Sequence, residues 1–505
     1  MVKSIKPRKR NQEDHNNFSP YLRTNSLDST NPVTRILILV VFLFLASCGS
    51  QPSPPTLTST IAAPQATATS TRTPIPPTAT ITPQPTSSLG VDQSALNGVT
   101  IDFWHPWSGE TGRVIQESIA EFNAANEFGI MVESVYQGTL NSLNDAVDDS
   151  DTGSSLPNLT IGSNYQILSW NSSGKRVVGL NAYMKDPEWG LSSDEQADFY
   201  PVFLDQDVSG QNRIGFPAVR SAQLLFYNTS WAEELGFNSP PNTTEEFKEQ
   251  ACQAARTNNA NELPVDDGSG GWLINTSPSG ILSWLYAFDS QVVQLDGSGY
   301  QFNTPQTEDA LLYLKEVFDE GCAWEVLESP AEVEFAARKA LFITGSLSDL
   351  AYQTSEIERT GSGDTWTVLG FPSPQGGQVI DVYGPSFVMF AGTPEENLAT
   401  WLVIKWLSSA EQQAKMINAS GTFPTRDSAM DFLADYASEN PQWAAAQELI
   451  AVARPEPGIQ SWKEVRWILG DVGTQIFRYY FTPDRIASTL ELMDETAAEL
   501  HERTQ

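Results

Sequence analysis

The chain has 505 residues, 62 of them acidic and 29 basic, and its formal net charge is −33. A charge of this sign and size argues against nucleic acid or an anionic membrane surface as a partner, since both would repel it. Only three histidines and three cysteines are present, so neither a histidine-rich zinc site nor Ser-His-Asp hydrolysis is expected. At roughly 100–200 residues per domain, this length predicts at least two lobes.

Residues 1–47 have the pattern of an export signal. The apolar run at residues 36–46 follows a basic segment and is shorter than the roughly 20 residues that a membrane-spanning helix needs. It ends in the letters LASC at residues 45–48, which resemble a bacterial lipobox. The pattern therefore predicts that Cys48 becomes the lipidated first residue of the mature protein. The alternative is an uncleaved signal anchor with an incidental cysteine.

Residues 48–97 are predicted to be a tether. From about residue 50 to residue 90 the composition is dominated by Thr, Pro, Ser, Ala and Gln, with Arg72 as its one charge. Such a segment buries too little apolar surface to offset its chain entropy, so we expect it to be extended and disordered.

The two remaining cysteines, Cys252 and Cys322, lie near the ends of predicted helices. An exported, oxidising environment favours a disulfide between them. The alternative is a pair of buried free thiols.

The elements predicted in chain order begin an α/β sheet. Residues 99–104 alternate as a strand does, residues 111–126 have an amphipathic helical pattern, and residues 130–136 read as a second strand. Ligands of open α/β sheets bind beyond the carboxyl ends of the strands, which here are residues 104–110 and 136–139.

The α/β pattern continues along the chain. Further strands are predicted at residues 158–161, 213–218 and 223–227, and further helices at residues 243–255, 307–318, 394–407 and 484–501. Thr243 and Glu246 have the spacing of a capping box. The sequence contains no P-loop, GxSxG or HExxH motif, so no cofactor or metal ion is expected.

Four stretches, in this order and spacing, resemble the family 1 extracellular solute-binding proteins of ABC importers, which include the maltose- and glycerol-3-phosphate-binding types. They are IDFWHPWSGE at residues 101–110, FPAVRSAQLLFYN at 216–228, ALFITGS at 340–346 and SGTFPTR at 420–426. The resemblance implies an α/β fold of the two-lobed, type II periplasmic-binding-protein kind, with discontinuous lobes joined by a hinge. We place lobe one at residues 98–220 and 375–422, and lobe two at residues 221–374 and 423–505.

The resemblance also implies which residues contact the ligand. Aromatic faces pack against the C–H groups of a sugar, and polar side chains bind its hydroxyls. The expected contacts are Trp107, Ser108, Glu110, Tyr136, Asn164, Tyr165, Arg220, Ser221, Trp272, Ser279, Gly345, Ser346, Tyr383, Gly384 and Trp462. Each has a structural alternative: core packing for the aromatic residues, and an ion pair for Arg220. Leu347 stands where many relatives carry a stacking tryptophan, and Asn164 is neutral where the maltose and glycerol-3-phosphate types carry a charge.

We therefore expect a non-catalytic, monomeric bacterial lipoprotein, anchored to the outer face of the cytoplasmic membrane through its lipid alone. It would capture a carbohydrate, most simply a neutral mono- or oligosaccharide, and deliver it to the permease subunits of an ABC transporter. Two alternatives remain open: a secreted glycoside hydrolase that uses a pair of carboxylates, and a ligand-sensing surface lipoprotein without transport.

Overall fold

The computed structural model describes residues 87–150, 156–261, 266–326 and 329–504. All of them belong to one unit, Ile81–Gln505. The predicted signal, Cys48 and most of the predicted tether lie outside the described residues. None of the described helices has both the length and the apolar character that crossing a membrane would require.

The described strands alternate with helices through most of the chain. The strands are β1 Thr100–His105, β2 Met131–Tyr136, β3 Leu159–Gly162, β4 Val208–Ser209, β5 Asn212–Arg213, β6 Phe216–Pro217, β7 Ser221–Asn228, β8 Trp272–Leu273, β9 Ala323–Trp324, β10 Phe342–Ser346, β11 Trp366–Leu369, β12 Phe371–Pro372, β13 Gln378–Tyr383, β14 Ser386–Met389 and β15 Ala453–Pro455.

The helices are α1 Gly109–Ala125, α2 Leu140–Asp149, α3 Asn164–Ser172, α4 Asn181–Met184, α5 Ser193–Ala197, α6 Pro201–Leu204, α7 Thr229–Glu234, α8 Thr244–Ala260, α9 Pro278–Ala287, α10 Pro305–Asp319, α11 Ala331–Ala336, α12 Leu350–Thr360, α13 Pro394–Leu407, α14 Ala410–Ser420, α15 Ala434–Glu439, α16 Pro441–Glu448, α17 Trp462–Ile476 and α18 Ile486–Glu502. Thr243 caps α8, and its capping box with Glu246 is present as predicted.

The smaller sheet has the strand order β2-β1-β3-β14-β6. β1 runs parallel to β2 and β3, whereas β14 runs antiparallel to β3 and β6. The predicted alternation of β1 is present, with Ile101 and Phe103 buried and Asp102 exposed. These side chains pack in one core with Phe122 of α1 and Trp401 of α13.

The larger sheet is built around β7, whose residues after Ser221 are all buried. β10, β11 and β13 pair antiparallel with β7. Alternate side chains of β7 enter two different cores: Leu225 and Tyr227 on one face, Leu224 and Phe226 on the other. A continuous apolar run is therefore the signal of this strand, because both of its faces are covered.

The segment predicted as one strand at residues 213–218 is instead two short strands, β5 and β6. They separate because they pair with different partners: β5 forms a hairpin with β4, and β6 joins the edge of the smaller sheet.

Along the described residues the chain passes between the two sheets from β6 to β7, from β13 to β14 and again between β14 and β15, and the first two of these crossings are adjacent. Residues 218–220 connect β6 to β7, and Gly384 with Pro385 connects β13 to β14. Ala218 N–H donates to the carbonyl of Pro385 at 3.2 Å, so the two crossings run side by side. A Cβ at Gly384 would lie 2.5 Å from the carbonyl oxygen of Val219, which requires glycine here.

The sheet assignments bear on the proposed lobes. β13 pairs within the larger sheet, although the sequence placed residues 375–422 in lobe one, and the chain reaches the smaller sheet only after Gly384. The division of the chain into lobes at residues 220, 374 and 422 therefore stays a prediction.

A disulfide joins Cys252 of α8 to Cys322, which precedes β9, with 4.2 Å between their Cα atoms. Both residues are buried in the core of the larger sheet. This is the pairing that the sequence favoured.

Candidate ligand-binding site

A cavity of about 340 Å³ lies where the chain crosses between the two sheets. Both adjacent crossings contribute to it, as do the residues after β3 on one side and the segment between β15 and α17 on the other. Its lining residues are Leu140, Ser163, Asn164, Tyr165, Gln206, Val219, Arg220, Ser221, Val382, Tyr383, Gly384, Pro385, Thr422, Glu456, Pro457 and Arg466. The volume is in the range of small-molecule sites.

The wall beside the smaller sheet begins where β3 ends. The chain turns directly from β3 into α3 at Ser163, which places Asn164 and Tyr165 in the lining of the cavity. Asn164 Nδ2 donates to Asp207 Oδ1 at 3.0 Å, while Asn164 Oδ1 is buried and has no partner. The position follows the rule that ligands bind beyond the carboxyl ends of strands.

Arg220 is among the residues around the cavity and is fully buried. Its Nη1 donates to the carbonyls of Val219 and Pro385 at 3.0 and 2.8 Å, and its Nη2 donates to Ser386 Oγ at 2.9 Å and to Asp207 Oδ2 at 3.3 Å. Burial lowers the pKa of Arg220, and the Asp207 carboxylate opposes that shift. Arg220 therefore fastens the two crossings to each other.

The wall beside the larger sheet is organised by Glu456. Its Oε1 accepts from Ser279 Oγ at 2.8 Å and from Arg466 Nη2 at 3.1 Å. Its Oε2 accepts from Trp462 Nε1 at 3.0 Å. Arg466 Nη1 reaches across the cavity to the hydroxyl of Tyr165 at 3.4 Å, so this wall contacts the wall beside the smaller sheet.

Several polar atoms of the cavity-lining residues have no hydrogen-bond partner. Asn164 Oδ1, Arg220 Nε and Arg466 Nε are all buried and lack a hydrogen-bond partner. Each buried group left in this state costs about 1–3 kcal/mol. These atoms are enclosed by other protein atoms, so a ligand reaches them only if the surrounding side chains move.

Asp381 lies on β13 next to the cavity-lining Val382 and is fully buried, with both carboxylate oxygens unpartnered. Burial raises the pKa of Asp381 well above its usual value, and the nearby charge of Glu456 raises it further, while Arg466 and Arg454 oppose the shift. Burial therefore favours the neutral form of this carboxyl group.

The structure brings six of the predicted contact residues together in this cavity: Asn164, Tyr165, Arg220, Ser221, Tyr383 and Gly384. Two others, Ser279 and Trp462, lie behind the lining and bond to Glu456. Trp462 is fully buried and stacks on Tyr300, with ring centroids 6.0 Å apart. It supports the wall rather than lining it.

Ser108 and Glu110 do not line the cavity. α1 begins at Gly109, earlier than predicted, so Ser108 becomes the N-cap position and Glu110 falls in the first turn. The Glu110 carboxylate is exposed and pairs with Arg113, which holds the pKa of Glu110 below its usual value.

Trp107 and Tyr136 also lie outside the cavity and flank His105 instead. The rings of His105 and Trp107 stack at 5.9 Å, and that of Tyr136 lies 6.3 Å from His105. Tyr136 is 52% exposed, so it remains accessible from solvent.

Three further predicted contacts have structural roles. Trp272 is fully buried against Phe247 and Trp284, because β8 is covered on both faces. Ser346 caps the turn that follows β10 through Asp349. Gly345 packs under an aromatic ring, since a Cβ there would lie 3.1 Å from Phe226.

Sequence reasoning missed Gln206, Glu456, Pro457 and Arg466, all of which line the cavity. One signal was available: Arg466 follows Trp462 by four positions on α17, so both lie on one helix face. Nothing in the sequence pattern indicated that Trp462 and Arg466 would both donate hydrogen bonds to Glu456.

Comparison with known proteins gives a consistent result. Residues 117–450 match the family model described as bacterial extracellular solute-binding protein. A binding protein of Brucella abortus (strain 2308) is 23% identical over 303 residues, which are 60% of this chain and 72% of that protein.

Solved structures show the same architecture. The sugar-binding protein MalE of Xanthomonas citri superposes with a TM-score of 0.68 at 18% identity, covering 80% of this chain and 98% of that one. The cyclic α-maltosyl-1,6-maltose binding protein of Arthrobacter globiformis gives 0.67 at 17% identity, over 80% and 99%. UgpB of Mycobacterium tuberculosis in complex with glycerophosphocholine gives 0.62 at 17%, over 81% and 99%. The predicted two-lobed α/β fold is confirmed.

Proposed function

Because this chain belongs to the family of bacterial extracellular solute-binding proteins, we propose that it captures a neutral mono- or oligosaccharide in the cavity between its two sheets and delivers it to an ABC permease. The observation that carries this proposal is the polar and aromatic lining of the cavity, which includes Asn164, Tyr165, Ser221, Tyr383 and Arg466. Sugar hydroxyls both donate and accept hydrogen bonds, so a sugar can pair with both the donors and the acceptors of this lining.

The charges of the cavity support a neutral ligand. Arg220 is paired with Asp207, and Arg466 with Glu456. Each guanidinium is therefore already balanced by a carboxylate, and neither is left to neutralise a phosphate. A glycerophosphodiester, the ligand type of the UgpB structure, is the alternative that this balance disfavours.

The arrangement of carboxylates supports binding without catalysis. A glycoside hydrolase needs two carboxyl groups about 5–5.5 or 6.5–9.5 Å apart that face the glycosidic bond. Among the described residues that line the cavity, Glu456 alone carries a carboxylate, and its oxygens already accept from Ser279, Arg466 and Trp462.

The remaining parts of the proposal concern the setting of the protein. We propose a monomer that is exported and held at the outer face of the cytoplasmic membrane through a lipid on Cys48. Replacing Cys48 with alanine should block processing or release the protein from the membrane fraction. Unchanged membrane retention with a normally cleaved signal would contradict the lipid anchor.

A thermal-melting screen tests the binding proposal, with glucose, maltose, maltotriose and glycerophosphocholine as ligands. A ligand that binds only the native state stabilises it by RT ln(1 + [L]/Kd), about 2.7 kcal/mol at a hundredfold excess over Kd. We expect the largest shift from a neutral sugar that is recovered intact. Sugar cleavage would favour the hydrolase, and the absence of any shift would contradict the proposal.

A further inference from the structure

We propose that Glu456 is the positioning residue of the ligand site: it orients the guanidinium of Arg466 so that Nη1 faces the ligand between the two walls. This inference rests on the proposed function and deepens it, because it assigns one donor of the site to a ligand oxygen. Neither residue belongs to the contact set expected from the sequence.

The two terminal nitrogens of Arg466 have different hydrogen-bond partners. Nη2 is occupied by Ser279 Oγ at 3.0 Å and by Glu456 Oε1 at 3.1 Å. Nη1 makes only the longer 3.4 Å contact with the hydroxyl of Tyr165 on the opposite wall. A planar guanidinium held at one nitrogen has its other nitrogen fixed in direction, and here that direction is across the cavity.

Glu456 holds this geometry from three sides. Its carboxylate joins the N-terminal end of α9, through Ser279, to the first turns of α17, through Trp462 and Arg466. Its own backbone N–H donates to the carbonyl of Val382 in β13 at 3.3 Å. The Glu456 side chain is 11% exposed, so water competes little for these bonds.

The class of ligand group follows from the donor. An N–H of Arg466 that is directed into the cavity requires an acceptor, and a charge-assisted hydrogen bond to a hydroxyl or ring oxygen satisfies it. Because the Glu456 carboxylate already balances the guanidinium, a neutral oxygen suffices. Arg466 Nη1 therefore donates a hydrogen bond to a hydroxyl or ring oxygen of the sugar when the two walls close on the sugar.

A double-mutant cycle tests the inference. The wild type, Glu456→Gln, Arg466→Met and the double variant are titrated with maltose, or with the sugar of the melting panel that gives the largest shift. Losing an oriented, charged hydrogen bond should weaken binding about tenfold or more in each single variant. The double variant should bind no more weakly than Arg466→Met alone, because Glu456 acts through Arg466.

The control is Glu464→Gln, an exposed acid on the same helix, which should leave the Kd unchanged. Unliganded melting points separate a positioning role from a purely structural one, since the positioning role predicts lost affinity with little lost stability. Where Glu456→Gln fails to fold, Ser279→Ala replaces it in the cycle, because Ser279 is the other acceptor of Nη2.

The outcomes distinguish this inference from the proposed function. Additive losses in the double variant, or an unchanged Kd in Glu456→Gln, would overturn the positioning role while leaving sugar capture intact. A wild type that binds no sugar of the panel would instead overturn the proposed function, and this inference with it.

Discussion

The guanidinium of Arg220 is fully buried against the carboxylate of Asp207, with Nη2 3.3 Å from Oδ2. The same guanidinium donates to the carbonyls of Val219 and Pro385, one on each of the two adjacent crossings between the sheets. Asp207 in turn accepts from Asn164 Nδ2. One ion pair therefore links both crossings to the ligand-facing end of α3.

Replacing Arg220 with methionine should destabilise the protein by about 3–5 kcal/mol, because the carboxyl group of Asp207 would be left buried without its ion-pair partner. Urea unfolding followed by circular dichroism measures this loss. The matched control is Arg113→Met, since the ion pairs of Arg113 are on the surface and contribute little. Equal and small effects of the two substitutions would contradict the structural role of Arg220.

His105 should make stability depend on pH. It is 1% exposed and lies among the rings of Phe103, Trp107 and Tyr136, and burial lowers the pKa of His105 to about 4 from 6.5. The unfolded chain therefore takes up a proton before the folded protein does. Stability should be fully present above pH 6.5 and should fall by at most about 3 kcal/mol as the pH drops toward 4.

His105→Phe keeps a ring in this position and removes the titrating group. When the pH is lowered from 6.5 to 4, the urea concentration at the unfolding midpoint should fall by less for His105→Phe than for the wild type. Parallel curves for the two proteins would show that His105 is not the group responsible.

Asp381→Asn should raise stability at neutral pH. Burial raises the pKa of the Asp381 carboxyl, so the folded protein holds a proton that the unfolded chain releases above the usual value of 3.8. The free energy of folding therefore becomes less favourable as the pH rises above 3.8 toward the raised pKa of Asp381. The difference in melting temperature between variant and wild type should be near zero below pH 3.8 and should grow toward pH 7.

The control for this measurement is Asp471→Asn, an exposed carboxylate on α17, whose melting temperature should track the wild type across the range. A variant at Asp381 that is less stable than the wild type at pH 7 would contradict the prediction.

Removing the disulfide should lower the free energy of unfolding by about 4 kcal/mol, because the bond closes a loop with a sequence separation of 70 and so restricts the unfolded chain. The double variant Cys252→Ala/Cys322→Ala measures this in a urea titration. A reductant should destabilise the wild type and leave the double variant unaffected. A reductant-insensitive wild type would contradict the bond.

The elements that were predicted well have a clear hydrophobic periodicity or a recognisable helix-capping motif. The alternation of β1 and the capping box of α8 are local patterns, so one segment suffices to recognise them, and the strand predicted at residues 223–227 lies within β7. The segment at residues 213–218 was wrong as one strand because its halves pair with different sheets, which no local pattern records.

The ligand site was less accessible to sequence reasoning for the same physical reason. Asn164 and Tyr165 could be placed because they directly follow a strand. The Glu456 cluster could not, since Ser279 and Arg466 meet across 187 positions of the chain. Trp272 was expected to contact the ligand because it lies in a loop-rich segment. It is instead buried in β8, between two neighbouring strands, where it stabilises the core.

Hydrogen–deuterium exchange with and without a saturating neutral sugar tests the central claim, that the protein captures its solute in the cavity between the two sheets. We expect slower exchange in peptides that contain residues 163–165, 219–221, 383–385 and 456–466, because ligand bonds from both walls stabilise the closed site. The wild type should show this protection, and Arg466→Met should show less of it. Unchanged exchange at saturation, or protection confined to other parts of the chain, would contradict the claim.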